Sequence, residues 1–276
     1  MTRRTQATTE LLRDLRGDRA SRPVVDPMLA GGLRAWLDDE LAGAFDAFSS
    51  DLPIDLPAWK IAQPAASSDP EHDNRGLSVL VHALILDHLV FGEVIDPLVE
   101  AMSLLEARGD HDPLLRQIGS LDGLAAEQLA AEVATHAAVL SRELGRIPGS
   151  WLPRSSASIA AQICGGRVRI GAAVDLMLGP PARSVSSICL LEVVTTPLGA
   201  HLFDHLAAMA LIETLRSGAA PLRVAALSTA TGDHIVLEVN DDLLVGALHR
   251  VVDVTAERVR SLIVDSNEAS ISRLHP

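Results

Sequence analysis

Apolar positions follow two different spacings along the chain, and the change falls near residue 150. Before it they recur at helical intervals. Residues 27–48 (PMLAGGLRAWLDDELAGAFDAF) have a period near 3.6, which predicts a helix preceded or broken by Gly31-Gly32. Residues 76–91 (GLSVLVHALILDHLVF) are almost wholly apolar and predict a buried helix. Amphipathic helices are predicted at 94–107 and 121–145, divided by a loop from Gly109 to Pro113. Residues 1–25 are polar and Arg-rich and read as a mobile arm. Residues 49–75, polar and interrupted by prolines, read as a loop.

After Trp151 the pattern becomes that of strands. Residues 157–164 (ASIAAQIC) and 167–178 (RVRIGAAVDLML) flank Gly165-Gly166, a hairpin signal. The run 186–194 (SSICLLEVV) predicts a central strand, and residues 200–217 a helix closed by Gly218. Residues 222–229 and 234–239 predict two strands around Thr231-Gly232-Asp233. Residues 241–264 predict a terminal helix opened by an acidic pair, which suits a helix N-terminus. The order helix–β–β–β–α–β–β–α specifies an α/β fold: a mixed sheet of about five strands with helices on both faces. The expected division is an N-terminal arm, helix and loop over residues 1–75, then one domain over 76–276. Its helical part is 76–150 and its sheet part 151–276. The N-terminal helices are expected to pack as a cap that brings the 76–91 helix to the sheet edge. No repeat of fixed period occurs.

Composition narrows the function classes. The chain has 276 residues, 48% of them hydrophobic and 3% aromatic with no tyrosine, so the core must rest on Leu, Val, Ile and Ala. The net charge of −13 disfavours a constitutive nucleic-acid coat or an anionic-membrane binder. Residues 1–150 hold 13 basic and 24 acidic groups, residues 151–276 hold 10 and 12, so repulsion of phosphates is weakest in the second part. Lys60 is the single lysine among 23 basic residues. Two cysteines exclude a disulfide scaffold and a cysteine zinc site, and both fall in strand patterns as core residues. With no run of about 18 apolar residues and no secretory pattern at the start, a cytoplasmic protein without a membrane partner is expected.

Two acids interrupt the apolar strands: Asp175 in V-D-L-M-L and Glu192 in L-L-E-V-V. A carboxylate in such a run must be paired, bound to metal, or placed at an open end of the sheet. Two acids on neighbouring strands can point at one spot, and they repel unless a cation lies between them. Oxygen donors suit Mg²⁺ or Mn²⁺. The alternative is that both acids are strand-end groups facing water. His201 and His205 stand at i, i+4 on one helix face, but a zinc site needs a third ligand, and no H-E-x-x-H is present. His82, alone in V-L-V-H-A-L-I-L, reads by itself as a hydrogen-bonded core histidine rather than a ligand. Asp87 and His88 read as surface or supporting groups. There is no G-x-S-x-G and no phosphate-binding G-x-x-x-x-G-K-[ST] loop.

The segments GGRVRIGAAVDLMLG, LLEVVTTPL and HLFDHLAAMALIETLRSGAAPLRVA, in that order, resemble the RecB-type branch of the PD-(D/E)XK nuclease superfamily, in particular its actinobacterial members. Upstream, GLSVLVHALIL is similar to the Gly-x-x-x-His helix of that family. The resemblance spans residues 76–262 and is strongest from 151 to 225. It implies a restriction-endonuclease-like sheet and hydrolysis of DNA phosphodiester bonds. By position it implies a Mg²⁺ or Mn²⁺ site made by His82, Asp175, Glu192 and the carbonyl of Val193, with Asp175 and Glu192 central to catalysis.

Two departures oppose activity. Val194 occupies the position of the motif lysine, which orients the attacking water and stabilises developing charge. Its loss costs on the order of 10² or more in rate, by analogy with removing a charge-stabilising donor. Met209 stands where relatives place a tyrosine or other polar group. His205, with His201 beside it, is a candidate auxiliary group in place of the lysine. Lys60 lies far upstream in the polar loop. The expectations are therefore a metal-dependent DNA nuclease or, alternatively, a nuclease fold that has lost catalysis and binds protein or nucleic acid. A weaker third reading is a scaffold whose acidic N-terminal half docks a basic protein partner.

Overall fold

Gly165 and Gly166 adopt φ of 63° and 90°, and the chain reverses there between two long strands. The structure, a computed structural model, describes residues 9–17, 22–45, 53–63, 75–91, 94–109, 112–145, 147–180 and 185–272. Its strands are β1 (Ile54–Pro57), β2 (Arg154–Ile163), β3 (Val168–Leu178), β4 (Cys189–Val194), β5 (Arg223–Ser228) and β6 (His234–Glu238). Its α-helices are α1 (Glu10–Arg16), α2 (Leu29–Ala42), α3 (Ala58–Ala62), α4 (Arg75–Phe91), α5 (Pro97–Arg108), α6 (Asp112–Gly119), α7 (Gly123–Leu144), α8 (His201–Ser217) and α9 (Asp241–Ser272). The predicted α/β class, with a mixed sheet and an N-terminal helical region, is the observed one.

The strands form one six-stranded sheet. β2 pairs antiparallel along the length of β3. The opposite edge of β3 is shared. β1 lies parallel to its start, Ile54 to Pro57 beside Val168 to Gly171. β4 lies antiparallel to its end, Leu191 to Cys189 beside Leu176 to Leu178. β4 and β5 are parallel and joined by α8, the crossover such a pair requires, and β6 closes the order antiparallel to β5. One core places α2, α3, α8 and α9 against the sheet. A second places α1, α4, α5 and α7 against it. The N-terminal helices thus form a layer over a sheet face rather than a cap. Among the described residues, no helix is long and apolar enough to cross a membrane.

Three local expectations are corrected. The arm over residues 1–25 contains α1, whose Leu11, Leu12 and Leu15 are 0–2% exposed. Seven residues are too few to hold a helix by propensity, so burial of these leucines holds it, with Thr9 capping the N–H of Leu12 at 3.3 Å. The loop over 49–75 contains β1 and α3. β1 is held by parallel pairing with a strand more than a hundred residues away, which local pattern does not report. It is the strand beyond the expected five. The loop from Gly109 to Pro113 is shorter than expected, because α6 begins at Asp112.

Candidate functional site

The site arises from an interruption in the sheet. β1 and β4 run toward each other along one edge of β3. β1 pairs as far as Gly171 and β4 as far as Leu176, which leaves Ala172 to Asp175 without a strand on that side among the described residues. At the same place β3 changes its facing. Val174 packs in the first core and Leu176 in the second, so the two-residue alternation breaks at Asp175. Across from Asp175 on β2, Ser156 has φ of 50°, a conformation uncommon outside glycine.

Asp175 uses this break. Its Oδ2 accepts the N–H of Val193 at 2.7 Å, holding a backbone donor just beyond the end of the β3–β4 ladder. α4 crosses here from the second core. His82 Nε2 donates to the carbonyl of Val193 at 2.7 Å and lies 3.4 Å from the same Asp175 Oδ2. His82 Nδ1 stands 3.4 Å from Ser78 Oγ, one turn earlier on α4. His82 Nε2 therefore contacts two of the expected groups, Asp175 and the Val193 carbonyl.

Glu192 alternates with Leu190 and Val194 and so faces the first core, where α8 lies. His205 of α8 reaches it, Nε2 to Oε1 at 3.8 Å, with side chains 14% and 20% exposed. Glu192 Oε2 is buried with no hydrogen-bond partner among the described residues. A carboxylate oxygen in that position is short of donors, a shortfall that a divalent cation meets. The donor set of two carboxylates, an imidazole and a carbonyl suits Mg²⁺ or Mn²⁺. The spacings of 2.7 and 3.4 Å bracket the ~3 Å between adjacent ligands with bonds near 2.1 Å. Among the described residues, no three His, Cys, Asp or Glu side chains are grouped closely enough to hold an ion alone. The arrangement is two pairs, joined by the β4 backbone.

A cleft of about 700 Å³ opens at the interruption and is lined by His82, Glu192, Val194, His201, His205 and Trp59, among others. His201 is exposed, its ring folded back over Gly199. Val194 is 7% exposed and Met209 fully buried, both in the first core, so neither presents a polar group. Lys60 lies on α3, its Nζ 5.3 Å above the ring of Trp59. The side chains of Asp87 and His88 lie outside the described residues.

Several supporting groups escape the sequence reading. The carbonyl of Val194 accepts both the N–H and the hydroxyl of Thr229, at 2.8 and 3.1 Å. Because Thr229 donates its hydroxyl proton there, His136 Nδ1 donates to Thr229 Oγ1, at 2.7 Å. Burial lowers the pKa of His136 below 6.5, against a smaller opposing effect of Glu132. Ser78 had a readable signal, its i, i+4 spacing to His82. His136, Thr229 and Trp59 had none. Both cysteines are buried, and burial pushes each thiol up to about 11, which removes them as nucleophiles.

No protein-family model matches the chain, and no curated protein matches it. The chain is similar to the crystal structure of SSO0001 over 83% of this chain and 85% of that one, at 9% identity. The TM-score of 0.31 makes this too slight a likeness to support an argument about fold or activity.

Proposed function

We propose that the protein is a RecB-type, PD-(D/E)XK-like phosphodiesterase acting on DNA, with a Mg²⁺ or Mn²⁺ site at the end of β4. The observation that supports this best is the convergence of His82 on the Val193 carbonyl and of Asp175 on the Val193 N–H, beside a Glu192 oxygen with no hydrogen-bond partner among the described residues. His82, Asp175, Glu192 and the Val193 carbonyl would hold the cation. When bound, the cation would lower the pKa of an attacking water and neutralise charge at the scissile phosphate. The protein residues do the positioning. Asp175 fixes the Val193 peptide through its N–H and so aims its carbonyl. His82 presents Nε2 from a helix anchored in the second core, and Ser78 Oγ can accept from Nδ1 in the tautomer that frees Nε2.

A second reading is a degenerate nuclease fold that binds protein or nucleic acid without cleaving it. It is favoured by Val194 and Met209, whose buried side chains supply no donor for a developing charge. Calorimetry with Mn²⁺ on the wild type and on Asp175→Asn tests the site. Saturable binding is expected, and the substitution weakens it by about 100-fold or more, beyond the cost of losing a supporting partner. Absence of wild-type binding at millimolar Mn²⁺ would overturn the metal reading. Cleavage of single- and double-stranded DNA then separates the two readings. Val194→Lys should raise the rate on the order of 10² if the fold is a slowed nuclease. No cleavage by either form, with Mn²⁺ binding intact, selects the degenerate fold.

A further inference from the structure

We infer that Trp59 is a stacking platform for one unpaired base of a single-stranded polynucleotide, placed beside the proposed metal site. This inference rests on the phosphodiesterase reading for its choice of ligand. Four features of the molecule support it. Trp59 is 44% exposed in a chain with only three tryptophans and no tyrosine. It lines the same cleft as His82 and Glu192. It also sits where the site is built: β1 ends at Pro57, its C-terminal end facing that of β4, and Trp59 follows in the first turn of α3. The neighbouring Ala58, Ile61 and Ala62 are buried, so α3 is anchored while its tryptophan is presented.

The charges around it suit a polynucleotide. In an acidic protein the single lysine, Lys60, stands next to this ring, Nζ 5.3 Å from its centroid. Arg169 lines the cleft with its side chain 54% exposed, 3.5 Å from the more exposed Asp55. A cation beside an exposed aromatic ring matches a backbone phosphate next to a stacked base. The cleft volume of about 700 Å³ lies within the ~300–1,000 Å³ of sites that enclose small ligands, so it admits a nucleotide unit. Bases within a duplex are already stacked on each other and offer no free face.

The test measures binding of fluorescein-labelled dT12, rU12 and a blunt DNA duplex by anisotropy, in EDTA, so that neither cleavage nor metal enters. The full chain should bind dT12 or rU12 in preference to duplex. Trp59→Ala should weaken single-strand binding about tenfold, and Trp59→Phe should restore most of it. The Mn²⁺ affinity of both variants should equal that of wild type. Comparing dT12 with rU12 distinguishes DNA from RNA as the source of the base. A second measurement needs no loss of the ring: in Trp36→Phe/Trp151→Phe, dT12 should quench the remaining emission of Trp59. Unchanged binding by Trp59→Ala with no quenching overturns the platform, as does failure of wild type to bind any single strand. If Mn²⁺ binding fails while the Trp59 effect persists, the metal reading falls and the platform stands.

Discussion

The two pairs of the site, one on each side of the β4 backbone, are built differently. His82 and Asp175 are tied to Val193, one to its carbonyl and one to its N–H. Their positions follow from where the β3–β4 ladder stops and where α4 crosses it. Glu192 and His205 meet side chain to side chain, at 3.8 Å, and Glu192 Oε2 has no hydrogen-bond partner among the described residues. Val194 and Met209, buried and without polar groups, lie on the Glu192 side, within the first core. The lesson is that one pair is fixed by topology through the backbone, while the other depends on how its side chains pack against the first core.

This contrast makes ordered predictions. The largest concerns unequal dependence on the two pairs. His82→Ala should lower Mn²⁺ affinity on the order of 100-fold, and Glu192→Gln about tenfold, since Gln keeps the shape and one acceptor oxygen. Calorimetry that ranks Glu192→Gln above His82→Ala would reverse the contrast. Next is the pH dependence of the clamp on Val194. The fold holds His136 neutral with its pKa below 6.5. Below pH 6.5 the unfolded chain therefore binds more protons at this residue, and its contribution to stability falls as pH falls. His136→Gln keeps a donor for Thr229 and does not titrate. Urea unfolding at pH 7 and pH 5.5 should show a smaller loss of midpoint for this variant than for wild type. Equal losses would show that His136 is protonated without cost. The smallest effect is expected from Ser78→Ala. Its contact with His82 is long, 3.4 Å, so Mn²⁺ affinity should fall by less than ~10-fold. A loss as large as that of His82→Ala would mean that Ser78 sets the tautomer.

What the sequence revealed follows the range of the interactions involved. The hairpin at Gly165-Gly166, the β4 strand, and helices α4, α7 and α8 were readable because their signals are local: period, turn residues and caps. β1 was not, because four residues containing Pro57 have no period of their own and form only against β3. α1 was hidden by its arginines, which are exposed while three leucines are buried. At the site, Asp175 and Glu192 stood out as acids in apolar strands, and His82 by its place in the motif order. The interruption that brings them together is a property of three strands at once and has no local signature. The break in alternation at Asp175 is of the same kind, since V-D-L-M-L reads as a continuous strand.

The burial of α1 also bears on how the chain is made. The carbonyl of Leu15 accepts the thiol of Cys189, made 174 positions later, and α1 packs beside β5 and β6. At about 5–20 residues per second, the three leucines wait some 10–35 seconds on the ribosome for their partner strands to be translated. For that interval α1 is an amphipathic segment without its sheet.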